Sequence, residues 1–313
     1  AEIKALNGSG KSSENTSSED LRKRGLDVIT SDMPDAVTIP GAVKGWHLLH
    51  SEHGNMPWKE IFEPAIEYAK SGVHVHERVA LDWSKNVEKL AQDKDTSSLF
   101  LKNGEAFKFT DKFTNPRLSE TFKSIAEDGA DVFYNGWIAD DMHQKLLSIG
   151  GSHTLNDFRN ASAEWVKPIK GNYRNITIHE CPPNGQGIVA LIILSILEKF
   201  DPNKMLKVDY THIFCEAVKI GYFLRDQYLS DPEYNKLSIE SFLSSKMIDD
   251  YISKIDMKKA TIYNNSNFPD HPDTIYLTVR DKNGMTISFI NSLFDAFGSG
   301  ITAPKSGILL HCR

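Results

Sequence analysis

The stretch HPDTIYLTVRDKNGMTISFINSLF, residues 271–294, decides how the chain is read. From Thr274 onward, Thr274, Tyr276 and Thr278 alternate with Ile275, Leu277 and Val279, the two-residue period of a strand. Asp281-Lys282-Asn283-Gly284 is a hairpin signal, with Asn283 and Gly284 expected to supply positive φ, and MTISFIN returns as a second strand. A threonine at the head of such a strand has two readings. Strands favour threonine, and the local pattern by itself describes an ordinary hairpin. Alternatively, this threonine is meant to become an N-terminus. Its hydroxyl is a poor nucleophile until a base takes its proton, and a freed α-amine, with a pKa of roughly 7.7–8.0, can be that base. The loop NSNFPDHPD ahead of it is polar and turn-rich, as an exposed junction would be.

Working outward, the chain has 313 residues, 40% hydrophobic and 25% charged, as in an ordinary globular protein. Its net charge of −6 argues against nucleic-acid and anionic-membrane partners. The longest apolar run, Ile188 to Leu197, is far shorter than the roughly eighteen residues of a spanning helix. The first residue is Ala1, no basic-then-apolar leader opens the chain, and SGILLHCR stops inside an apolar run. The sequence is therefore expected to be a piece of a longer protein, cytoplasmic or periplasmic. Cys181, Cys215 and Cys312, odd in number and far apart, fit reduced thiols.

The remaining pattern is helix-rich early and β-rich late, with no internal repeat: one mixed α/β domain over 1–313. Helices are expected from Gly41 to Gly54, from Trp58 to Lys70 with a kink at Pro64, and over 77–92, 118–127 and 136–148. YRNITIHEC (173–181) alternates as a strand, and PPNGQG then turns into an apolar helix from Ile188 to Lys199. The longest helix, 207–229, carries Ile213, Phe214, Ala217, Val218 and Leu224 as a core stripe.

Other chemistries are weaker. NGSGKSS (7–13) matches the end of a phosphate loop, but Ala5 stands where its first glycine belongs and no amphipathic helix follows. His47, His50 and His53, with His74 and His76, lack the HExxH spacing of a zinc site and read as surface and helix-cap residues. No GxSxG elbow occurs, and Cys181, with His179 on the same strand face, reads as packing rather than as a nucleophile.

Several segments, in order along nearly the whole chain, resemble the γ-glutamyltranspeptidase family. TVRDKNGMTISFINSLFDAFGSGITAPKSGILL (278–310) is similar to the stretch that follows that family's catalytic threonine. IPGAVKGWHLLHSEHGNMPWKEIFEPAIEYAKSG (39–72) resembles its large-subunit signature; DVFYNGWIADDM, the GG-x-H-x-L-x-D segment at 150–157, PPNGQGIVAL and EAVKIGYFLRDQYLSDP follow in register. The resemblance lies toward the branch of transferase-like proteins and acylases with NGSGR-type loops.

The resemblance implies the N-terminal-nucleophile hydrolase fold, a four-layer αββα sandwich, incomplete here, with 1–273 as the large-subunit portion and 274–313 as the start of the small subunit. It implies self-cleavage between Asp273 and Thr274, after which Thr274 carries the acyl group, Ser292 supports it, and the two subunits stay paired. The implied substrate is a small γ-glutamyl or related acyl amide; no cofactor or metal is implied. Ser9 falls where the family has a substrate-binding arginine, with Lys11 nearby, and Phe294 replaces a substrate-contacting asparagine. These departures favour an acylase-like substrate as the alternative, or a paralogue without turnover, because lysine cannot give arginine's bidentate grip on a carboxylate. The glycine pair of the oxyanion hole is expected beyond Arg313.

Overall fold

The computed structural model describes residues 2–234, 238–263 and 274–312. The junction loop and Asp273 lie outside the described residues. The chain is mixed α/β, as expected, and its described strands pair only in twos. It divides into two compact units: Gly8–Ala163 with His271–Arg313, and Ala1–Asn7 with Glu164–Asp270.

In the larger unit, the helix Ala42–His53 begins where Tyr134 closes its first turn. The Tyr134 hydroxyl accepts from the Lys44 amide at 3.0 Å and donates to the Pro40 carbonyl at 2.8 Å, so a fully buried phenol satisfies one helix-start amide and the carbonyl just ahead of the helix. Helix Trp58–Ser71 contains Pro64 and packs along helix Pro116–Asp128, whose N-cap is Asn115. Phe62, Ile125, Phe133, Ile138, Met142, Leu146 and Phe158 fill the core between them.

The chain after the hairpin is threaded into this core. Ile301, Ala303 and Leu310 are among its buried residues. The buried carboxylate of Asp141 accepts from the amides of Lys305 and Ser306. Thr121 Oγ1 donates to the Ser306 carbonyl, and Asn115 Nδ2 to that of Gly307. Gly307 sits at φ 68°, where an added Cβ would lie 2.5 Å from Asn115 Oδ1. These bonds satisfy buried polar groups that would otherwise each cost about 1–3 kcal/mol. A second cluster gathers Trp83, Phe100, Phe113 and Phe297. Beside the core, Lys145 bridges Asp93 and Asp95. The expected helix over 77–92 is two, Glu77–Ser84 and Val87–Ala91, broken where Asn86 Nδ2 bonds the Asp82 carbonyl.

In the smaller unit, Ala5–Asn7 pairs with Glu164–Val166. The segment expected as a single strand is instead the second half of a hairpin, Ile169–Tyr173 with Ile176–Glu180. Arg174 and Asn175, both at positive φ, form its two-residue turn without any glycine. Helix Gly187–Leu197 packs on this hairpin and against the long helix Lys207–Tyr228. At Gly221 an added Cβ would meet Ile193 Cγ1 at 2.9 Å, so glycine sets that approach. The buried stripe of the long helix is Ile213, Ala217, Ile220 and Leu224, with Glu216 inside it and only 1% exposed. Phe214, expected in the stripe, is 47% exposed instead.

Candidate active site around Thr274

Strands Tyr276–Arg280 and Thr286–Ile290 pair antiparallel, with Tyr276 opposite Ile290 and Thr278 opposite Ser288. Continued by two residues, this register sets Thr274 opposite Ser292 on the same face. The Asn291 amide, donating to the Ile275 carbonyl at 3.3 Å, carries the ladder that far. Thr274 Oγ1 and Ser292 Oγ lie 3.1 Å apart. Ser292 is itself fixed, because the Phe294 amide donates to its Oγ at 2.9 Å. Phe294 takes φ 78°, an uncommon conformation for a bulky residue. Further along that face, the Tyr276 hydroxyl accepts from Thr278 Oγ1 at 2.9 Å and Ser288 Oγ at 3.0 Å.

The turn itself differs from expectation. Of its residues only Gly284, at φ 88°, is left-handed, and Asn283 is not. Asp281 Oδ1 accepts from the amides of Asn283 and Met285, so the aspartate organises a three-residue loop closed by Gly284.

Chemically, the paired hydroxyls can position and polarise one another, but neither is a base at neutral pH. A base must come from elsewhere, and an α-amine on Thr274 would sit on the same residue.

The other residues singled out fall as follows. Lys11 is exposed, and its carbonyl accepts from the Ile39 amide at 2.8 Å. Ser9 is half-buried in the same loop, and Phe294 is 48% exposed. An added Cβ on Gly10 would lie 1.5 Å from the Ile39 carbonyl oxygen, and one on Gly41 2.0 Å from that of Gly8. Ser13 Oγ donates to the Ser152 carbonyl, and the Glu14 amide to Asp157 Oδ1. The loop is thus clamped against protein backbone, and its glycines serve that close approach. The pairing of Asn-Gly-Ser-Gly with Pro-Gly in the sequence is the signal for it.

His50 Nε2 donates to the Met56 carbonyl at 2.7 Å, and the His47 and His50 rings pack on Trp58. Among the described residues no group of three His, Cys, Asp or Glu could hold a metal ion. Cys181 is exposed just past the strand's end rather than packed as expected, and partial desolvation of its thiol with the neighbouring Glu180 pushes it up, away from a reactive thiolate.

The family model described as Gamma-glutamyltranspeptidase matches residues 1–313. The chain belongs to that family. It is 32% identical over 313 residues to the glutathione hydrolase-like YwrD proenzyme of Bacillus subtilis, covering 99% of this chain and 59% of that protein. It is likewise 32% identical over 281 residues to the glutathione hydrolase proenzyme of Escherichia coli, covering 87% of this chain and 48% of that one. Among solved structures, a cephalosporin acylase from Bacillus halodurans matches with TM-score 0.91 and 30% identity, covering 99% of this chain and 58% of that one. The fold is therefore of the N-terminal-nucleophile hydrolase type, and the chain spans about half to three-fifths of these proteins.

Proposed function

We propose that this chain carries the nucleophile of a self-cleaving amidohydrolase or acyltransferase, and that Thr274 is that nucleophile. The observation that carries the reading is the 3.1 Å approach of Thr274 Oγ1 to Ser292 Oγ in a family member. In maturation, Thr274 Oγ attacks the Asp273 carbonyl; the C–N bond breaks, an ester forms, and the proton lost from Oγ ends on the released amine. Water then hydrolyses the ester, leaving an Asp273 carboxylate and a Thr274 with free hydroxyl and free α-amine. In turnover, that amine takes the Oγ proton as Oγ attacks the substrate amide. The amine leaving group departs with the proton, and water or an amino acid accepts the acyl group from the threonyl ester. Ser292 holds Oγ in line, and the two products of the cut stay together as large and small subunits.

Mass spectrometry and N-terminal sequencing of the purified protein test this: a cut before Thr274, abolished by Thr274→Ala, is expected. Cutting that survives the substitution removes Thr274 from the role.

The substrate reading rests on Ser9, Lys11 and Phe294. An exposed lysine and a half-buried serine offer no planar fork for an α-carboxylate. We favour a γ-acyl amide over a glutamyl one on that ground. Hydrolysis of a γ-glutamyl anilide compared with its glutaryl analogue decides, and a preference for the glutamyl compound refutes the acylase reading.

A further inference from the structure

One face of the long helix Lys207–Tyr228 carries four side chains at helical spacing: His212, Glu216, Lys219 and Phe223. All four hold the same piece of chain. His212 Nε2 donates to the Asp256 carbonyl at 3.0 Å. Both oxygens of Glu216 accept from the Thr261 amide, at 3.3 and 3.2 Å. Lys219 Nζ donates to the Thr261 carbonyl at 3.1 Å and to Glu216 Oε1 at 2.7 Å. The Phe223 and Tyr263 rings pack with centroids 4.9 Å apart. The segment so held has no helix or strand of its own.

Two features set this apart from ordinary packing. A carboxylate 1% exposed inside a core stripe is a costly choice where an apolar residue would serve the helix better. The pair also spends its hydrogen bonds on the main chain of a single residue, gripping the amide and carbonyl of Thr261 at once. Such a clip fixes the path of a backbone. In the sequence, residues 264–273 separate Tyr263 from Thr274. Eleven residue steps reach at most about 40 Å, so pinning Tyr263 shortens the free chain that must be ordered before the bond at Thr274 can react.

We propose that His212, Glu216, Lys219 and Phe223 form a docking track that positions the segment leading to the Asp273–Thr274 bond, making Glu216 and Lys219 positioning residues for self-cleavage. The track also keeps residues 256–263 in place as the tail of the large chain after the cut. This rests on self-cleavage at Thr274. The role belongs to maturation and not to turnover by molecules already cut.

The test compares first-order rates of cutting in the full chain, well below the melting temperature, for wild type, Glu216→Gln, Tyr263→Ala and a four-residue Gly-Ser insertion after Tyr263. Each variant is expected to cut at least about tenfold more slowly, the scale of losing orientation at a reacting bond. Once cut, each should hydrolyse its amide substrate at the wild-type kcat. The insertion leaves the track whole and only slackens the tether, so its slowing separates positioning from folding. Wild-type rates in Glu216→Gln and Tyr263→Ala, or slowing only in proportion to unfolded protein, overturn the proposal. Failure of the wild type to cut overturns the self-cleavage reading and the track's role with it, whereas Thr274→Ala is the uncut control in every case.

Discussion

Thr274 shows how little a single residue says alone and how much its partner adds. Local alternation favours the reading of a strand's first residue, and the ordered family resemblance along the chain reverses it. What separates the two readings is the register, since the three-residue loop closed by Gly284 sets Thr274 opposite Ser292. Ser292→Ala is expected to slow both self-cleavage and turnover about ten- to a hundredfold, the equivalent of one hydrogen bond to a group developing charge. Ser292→Thr should retain most of the rate, because it keeps the hydroxyl. Stopped-flow acylation and the rate of chain cutting measure the two effects separately.

At the scale of elements, helices with caps and stops were legible and pairings distant in sequence were not. Gly129, at φ 80°, ends its helix as left-handed glycines do, and Gly41 and Gly54 flank theirs. The turn at Arg174–Asn175 was hidden because both residues adopt left-handed φ without the glycine that normally marks it. Glu216 was hidden for the opposite reason: a charged residue at a stripe position reads as solvent-facing until its backbone partner at Thr261 is known. The threaded segment at 299–312 was legible only as an apolar run at SGILLHCR and through its resemblance to the family. Its dependence on Gly307 is testable: Gly307→Ala forces a Cβ against Asn115 Oδ1 at a positive φ, and should cost about 2–4 kcal/mol in denaturant unfolding. A neutral Gly307→Ala would mean that the segment is not held as described.

For the whole molecule, acid stability follows from a buried histidine and several bonded carboxylates. His153 donates from Nε2 to the Val37 carbonyl at 2.7 Å, and its buried Nδ1 finds no partner among the described residues. Burial holds its pKa below the usual value, against the opposing pull of the Val37 carbonyl, Asp157 and Asp35. The unfolded chain therefore binds this proton more readily, and stability falls as pH drops below about 6.5 toward the lower folded value. Burial alone would raise Asp93, Asp157 and Glu216, but hydrogen bonds to Lys145, to the Glu14 and Thr154 amides, and to Lys219 and Thr261 leave each below the ordinary carboxylate value. Their contribution is present above the unfolded pKa, near about 4, and is lost as pH falls through the lower folded values. Thermal melts from pH 7.5 to 3 should show two stages of loss, and His153→Gln, which keeps an amide donor toward Val37, should remove the first.

The threading of residues 299–312 through the larger unit alters the molecularity of unfolding. Uncut, the protein unfolds as one particle, and its melting temperature does not depend on protein concentration. A cut before Thr274 would leave Ile301, Ala303 and Leu310 in a core built mainly by the other chain. Unfolding would then release two chains from one folded body, and mass action would make the melting temperature rise with concentration. Dilution would separate strands of protein that no longer find each other at the rate of an intramolecular collapse. A serial-dilution melt of the wild type beside Thr274→Ala reads this directly, and equal concentration dependence in the two would show that the threaded segment does not bind the halves together.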